Sequence, residues 1–312
     1  MKIIDAHVHF SKIASFAECA AHSSLTDYTK AGFLSETAEN QVVHCVCMGL
    51  TESAPFSFPD ADAPTPMLAD LEDELPAGMS LCLGVNPHRL NEHSLADMEE
   101  LISCGRPIAG GSNNAGVENT NGGRPIADGR HNAACIKIAG IKIYAGYYHF
   151  DVSNPVYDPV YELAEKYDLA VAVHTGDTFS NKSLLKYAHP LCLDELAIAH
   201  PALRIVACHI GAPWVFDACE AAGKNENVYI DISGLLVGNE AYINRHESNP
   251  LILDRYRQAL CFLDNYDKVL FGTDWPLAPM NAYIDFCKKL VPPESYEKVF
   301  YRNALDVYHL NF

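Results

Sequence analysis

Close to the start of the chain, the run Asp5-Ala6-His7-Val8-His9 places two imidazoles two residues apart. Successive side chains of a strand alternate faces, so His7 and His9 point the same way and can converge on one metal ion. Two neighbouring imidazoles buried in an apolar strand without a ligand would be unfavourable. Three further polar residues close later apolar runs: His174 follows 169–173, His209 follows 205–208, and Asp274 follows 269–273. Packing does not explain such an ordered set at strand ends, whereas metal-assisted chemistry needs one. Nitrogen and oxygen donors suit zinc, and also manganese or iron. Neutral imidazoles leave the charge of a bound ion high, which makes its water more acidic, and an adjacent Asp274 can take that proton and pass it to a leaving group.

Lys142, inside the apolar run Gly140-Ile141-Lys142-Ile143-Tyr144, belongs beside this set because a buried lysine is rare without a partner. Three readings are open for it: a carboxylated bridge between two metals, a cation that holds a substrate carboxylate, or a salt bridge at the mouth of the fold. Candidate pocket residues follow the same runs: Tyr144, Tyr147, Tyr148 and His149 after the fourth, Asp177, Asn181 and Lys182 after the fifth, Trp214 after the sixth, and Trp275 beside Asp274. Of these, Tyr144, Tyr148, His149 and Trp275 are the expected substrate contacts, since small-molecule pockets combine aromatic walls with a few polar groups. His22, His44, His88, His93, His200, His246 and His309 are read as structural or exposed.

The elements that must position these residues are short and apolar. Eight runs, at 2–10, 42–50, 79–85, 140–144, 169–174, 203–209, 228–232 and 268–272, have the character of strands buried on both faces. Helical spacing lies between them at 155–167, 191–200, 214–223, 251–263, 281–290 and 293–301, with a weaker pattern around 16–21 or 35–40. Alternation of this kind predicts a single-domain (β/α)8 TIM barrel spanning 1–312, with a metal centre at its C-terminal face. A doubly wound dinucleotide-binding sheet would carry Gly-x-Gly-x-x-Gly after an early strand, and none is present. Segments 51–66 and 105–130 each follow a strand, so the barrel would place them at the catalytic end as lids or pocket walls.

Composition narrows the partners. Among 312 residues, 22 Lys and Arg stand against 40 Asp and Glu, a formal charge of −18. Such a balance argues against nucleic acid or an anionic membrane as a partner and leaves a small-molecule substrate. No stretch approaches the roughly 20 apolar residues of a membrane span. The acidic start of the chain does not read as a signal peptide. The 11 cysteines include no Cys-x-x-Cys pair and most sit in apolar runs, so they read as reduced core residues of a cytoplasmic protein. A homo-oligomer, by default a dimer, is the expected assembly.

The motifs Asp5-Ala6-His7-Val8-His9, Val173-His174-Thr175-Gly176, Cys208-His209-Ile210-Gly211 and Phe271-Gly272-Thr273-Asp274-Trp275-Pro276 together resemble the amidohydrolase superfamily. More narrowly they resemble its amidohydrolase-2 branch, which includes the aminocarboxymuconate-semialdehyde decarboxylase-like enzymes. The resemblance extends from residue 2 to about residue 308. It implies His7 and His9 as metal ligands and His174 as a third ligand or a ligand of a second ion. It implies that His209 binds the second ion or, at a one-ion site, hydrogen-bonds substrate or water. Asp274 would ligate the metal and shuttle the proton, and Lys142 matches the position that can carry a bridging carboxylate. The expected activity is hydrolysis of a small amide, lactone or ester, with one or two divalent ions, most simply zinc. Non-oxidative decarboxylation of a small unsaturated or aromatic acid is the alternative, with His209 or Asp274 protonating carbon, and a barrel that binds a metabolite or metal without catalysis is the third.

Overall fold

The computed structural model describes residues 1–69, 75–105 and 137–311. Eight strands form one sheet in sequence order: β1 (Ile3–Val8), β2 (Val42–Met48), β3 (Met79–Val85), β4 (Ile138–Ile143), β5 (Ala170–Val173), β6 (Arg204–Ala207), β7 (Val228–Asp231) and β8 (Val269–Leu270). Each pairs with the next in parallel. The ring closes where Ala6 N donates to Phe271 O at 2.9 Å, Asp274 N to His7 O at 2.8 Å and His9 N to Trp275 O at 2.7 Å. All eight expected strands are therefore present, and the architecture is a (β/α)8 TIM barrel.

Ten helices accompany the strands among the described residues: α1 (Ala14–Cys19), α2 (Lys30–Glu39), α3 (Glu92–Gly105), α4 (Asp158–Lys166), α5 (Cys192–Ala199), α6 (Val215–Lys224), α7 (Glu240–His246), α8 (Pro250–Leu263), α9 (Met280–Leu290) and α10 (Asn303–Val307). Both weak N-terminal patterns form helices. The pattern at 293–301 instead gives a 3-10 turn, Pro293–Ser295, and a π-helical turn, Lys298–Arg302, that leads into α10. The sequence reading did not single out α3 or α7. In both, asparagine side chains hold the entry: Asn91 Oδ1 accepts from Ser94 N at 3.1 Å, and Asn239 Oδ1 from Tyr242 N at 3.0 Å.

Two apolar layers explain why the strands are apolar on both faces. Inside the barrel, Ile4, Ala6, Val46, Met48, Cys82, Ala172, Val206 and Leu270 interdigitate. Val307, Tyr308 and Leu310 pack against the same cluster through α10 and the residues after it. Outside, the alternate residues, such as Val171, Val173, Ile205 and Ile230, pack with the helices. A third cluster forms over the C-terminal mouth, where Phe58 of the 51–66 loop meets Tyr144, Tyr147 and Tyr148 at 5.1–6.1 Å between ring centres. The 51–66 loop, expected at this end, packs there through Phe58, whereas 106–130 of the second loop lies outside the described residues.

Candidate metal centre

His7 and His9 converge with Asp274 at the mouth. His9 Nε2 is 3.2 Å and His7 Nε2 3.5 Å from Asp274 Oδ1, and one donor atom of each residue lies within 4.8 Å of the others. His7 and His9 are buried, yet His7 Nε2, His9 Nδ1 and Asp274 Oδ1 have no hydrogen-bond partner. Buried polar atoms are rarely left so. His7 Nε2 and Asp274 Oδ1, both unpartnered, and His9 Nε2, which faces the same carboxylate oxygen, match the donor set of a divalent ion, so these residues fit a bound metal.

The chain builds this geometry locally. The register of β1 against β2 shifts between Asp5 and Val8, an irregularity of the kind that re-aims side chains. Asp5 ties β1 to the segment after β8, accepting from Thr273 N at 2.9 Å, Thr273 Oγ1 at 2.6 Å and His7 N at 3.2 Å. Burial pushes its carboxyl up to about 7 against the pull of these donors. Asp274 itself takes the left-handed backbone, φ +63°, which turns its carboxylate into the mouth. Gly234 (φ +64°) makes room for it: a Cβ there would lie 2.5 Å from Asp274 Oδ2 and 2.9 Å from His209 Nδ1.

Asp231 and Ser233, at and just beyond the end of β7, support the histidines. Asp231 Oδ2 lies 2.9 Å from His7 Nδ1, while Oδ1 accepts from His209 N at 2.9 Å, Ser233 N at 3.0 Å and Ser233 Oγ at 2.5 Å. The Asp231 contact assigns the proton of His7 to Nδ1 and leaves the Nε2 lone pair facing the centre, as a carboxylate behind a ligating histidine does. The sequence reading missed both residues; the signal was a carboxylate in the otherwise apolar run Val228-Tyr229-Ile230-Asp231-Ile232. His209 Nδ1 lies 3.8 Å from Asp274 Oδ2 and 3.0 Å from Ser233 Oγ, and its Nε2 is 3.1 Å from His174 Nδ1. His174 Nε2 donates to Asp177 O at 2.9 Å.

Charge states follow from this packing. Burial drives His7 down to about 4, aided by Lys142 and opposed by the carboxylates, so its ring is neutral at pH 7. Burial likewise lowers His9, and it lowers His174 together with His209 and Lys142. Burial would raise the carboxyls of Asp231 and Asp274, but the facing His7 and His209, with further hydrogen bonds, hold both below the ordinary carboxylate range. Ionised carboxylates, and imidazoles whose burial disfavours the protonated form, are the donor states that metal ligation requires.

Other predicted residues are placed differently. Lys142 is buried inside the barrel, and its Nζ donates to Cys208 Sγ at 2.9 Å with the Tyr144 ring 5.5 Å away. Cys208, read from sequence as core filler, is thus engaged beneath the mouth. Trp275 is a correction: it is fully buried, packs on Phe10, Tyr28 and Phe33, and donates Nε1–H to Glu36 Oε1 at 3.1 Å. The left-handed turn at Asp274 sends the neighbouring ring into the outer core. His149 is a second correction, since the turn at Gly146 (φ +84°) leaves it exposed against Lys182 O at 2.9 Å. Tyr144 and Tyr148 line the wall with engaged hydroxyls, donating to Gly49 O at 2.7 Å and Asp60 O at 3.3 Å. The Tyr147 ring lies 4.8 Å from that of His174. Asn181 and Lys182 are exposed, and the Trp214 ring lies 4.7 Å from that of His189, tilted by 43°.

A family model described as Amidohydrolase, the amidohydrolase-2 branch, matches residues 120–310, more than half of the chain. The protein is a member of the amidohydrolase family. No curated protein matches this amidohydrolase by sequence. Among solved structures it is similar to an uncharacterised TIM-barrel protein from Bordetella bronchiseptica, with TM-score 0.65, 17% identity and 98% of each chain covered. It is similar to a probable 2-pyrone-4,6-dicarboxylic acid hydrolase from Acinetobacter baumannii, with TM-score 0.60, 15% identity and 99% and 100% coverage. A third is 5-carboxyvanillate decarboxylase from Sphingomonas paucimobilis, with TM-score 0.56, 16% identity and 99% of each chain covered. At these identities the likeness carries the fold. No helix among the described residues is long and apolar enough to cross a membrane.

Proposed function

We propose that this amidohydrolase is a metal-dependent hydrolase of a small amide, lactone or ester. The observation that carries the reading is the convergence of His7, His9 and ionised Asp274, with His7 Nε2 and Asp274 Oδ1 buried and without a hydrogen-bond partner. A divalent ion held by these three residues would supply Lewis acidity toward a carbonyl and acidify water. Asp274 has a second oxygen, Oδ2, turned to His209 at 3.8 Å. That carboxylate accepts the proton of the attacking water and returns it to the leaving group. His209, held by Asp231 through its backbone and by Ser233 at its ring, fixes the substrate's oxygen by hydrogen bonding. Asp231 keeps the His7 lone pair aimed inward. Tyr147 and Phe58 form the wall on the His174 side, and Phe16, whose ring is 4.6 Å from that of His9, forms the other.

A second reading, decarboxylation of a small aromatic acid, has support in those aromatic walls and in the decarboxylase among the similar structures. Turnover in oxygen-18 water of a panel of lactones, amides and aromatic acids tests both. Hydrolysis puts one heavy oxygen into the product and releases no carbon dioxide. Carbon dioxide release without heavy oxygen in the product would replace the hydrolase reading with the second.

A further inference from the structure

The proposed chemistry leaves the buried thiol of Cys208 unused. Cys208 is fully buried in the interior layer, yet its Sγ reaches the same centre as the histidines. One donor atom each of His7, Cys208 and His209 lies within 4.8 Å of the others. Consecutive residues of a regular strand would point to opposite faces. Here the chain leaves β6 through left-handed backbone at His209 (φ +62°) and Ile210 (φ +45°), which turns Cys208 and His209 toward one point. Asp231 Oδ1 fixes that turn by accepting from His209 N at 2.9 Å. Lys142 Nζ donates to Sγ at 2.9 Å, so the sulfur faces into the barrel. His7, fully buried, retains a nitrogen without a hydrogen-bond partner.

We propose that His7, Cys208 and His209 form a second metal position, selective for a thiophilic divalent ion of the zinc, cobalt or cadmium class. Both donor sets draw on His7, so they are alternative seats for one ion. The His7–His9–Asp274 set offers two nitrogens and an oxygen and suits harder ions, while the Cys208 set offers two nitrogens and a sulfur. Occupation of the second seat replaces the thiol proton of Cys208, which leaves to solvent, with the ion. The inference concerns ligation alone and stands apart from which reaction the enzyme performs.

Cobalt(II) titration of the chelator-stripped full-length protein tests it, because a cobalt–thiolate bond gives a near-ultraviolet charge-transfer band that nitrogen and oxygen ligands do not. The wild type should develop this band in step with bound cobalt. Cys208→Ser should lose it while retaining the visible bands of cobalt held by nitrogen and oxygen. His9→Ala, which alters only the other set, should keep the band, as should Cys261→Ser, which removes an exposed thiol. Absence of the band in folded wild type, or its persistence in Cys208→Ser, overturns the proposal. Circular dichroism establishes that each variant is folded, and cadmium-113 resonance of the wild type gives an independent reading, with a thiolate-type shift expected and a purely nitrogen–oxygen shift contradicting it.

Discussion

At the mouth of the barrel, His7 and His9 face Asp274 Oδ1 at 3.5 and 3.2 Å, and His7 Nε2 has no hydrogen-bond partner. Toward the other end of the interior, His44 of β2 is also buried, but its Nε2 meets Ser80 Oγ at 2.8 Å on the neighbouring strand. Burial lowers both His7 and His44 to about 4, so a depressed imidazole does not by itself mark a reactive centre. What differs is company. The mouth gathers histidines from β1 and from the ends of β5 and β6, with carboxylates from the ends of β7 and β8, whereas His44 has a hydroxyl on the strand beside it. Convergence of several strand ends, rather than any single residue, makes one end of this barrel a site.

The largest effect should come from Asp274→Asn, which keeps the shape and removes the proton acceptor. Turnover should fall ~10³-fold with little change in melting temperature, and steady-state kinetics with calorimetry would reveal activity within tenfold of wild type if Asp274 had no such role. Asp231→Asn should weaken metal affinity ~10–100-fold by loosening His7, measured by competition against a chromophoric chelator; unchanged affinity would reduce Asp231 to a packing group. The His44 end should respond to pH and not to metal. Its folded value of about 4 lies below the ordinary 6.5, so only the unfolded chain takes up this proton between those values. The stability contribution is full above pH 6.5 and is lost as pH falls toward 4, on the order of 3 kcal/mol. Urea unfolding of His44→Gln should lack that part of the pH slope, while its metal content stays that of the wild type. The smallest effect belongs to His149→Ala, on the exposed rim, with kcat/KM expected within about twofold of the wild type.

The strands were legible because being buried on both faces forces continuous apolar runs, and all eight runs became strands. The convergence of His7, His9 and Asp274 was legible because strand polarity fixes which end of each run faces the mouth. Contacts across the barrel were not: Lys142 and Cys208 lie 66 residues apart on non-adjacent strands, and no local pattern pairs them. Trp275 was misplaced because adjacency to Asp274 suggested a shared pocket, while the left-handed backbone at Asp274 separates the two side chains. Gly234 shows the same limit, since its need for a positive φ and an absent Cβ appears only once Asp274 and His209 surround it.

Both proposed donor sets depend on His7, which would anchor a metal at the mouth of the barrel. Zinc titration by calorimetry into chelator-stripped wild type and His7→Ala tests it most directly. The account predicts one tightly bound ion per wild-type chain and at least ~100-fold weaker binding in the folded variant, whereas equal stoichiometry and affinity in the two would contradict it.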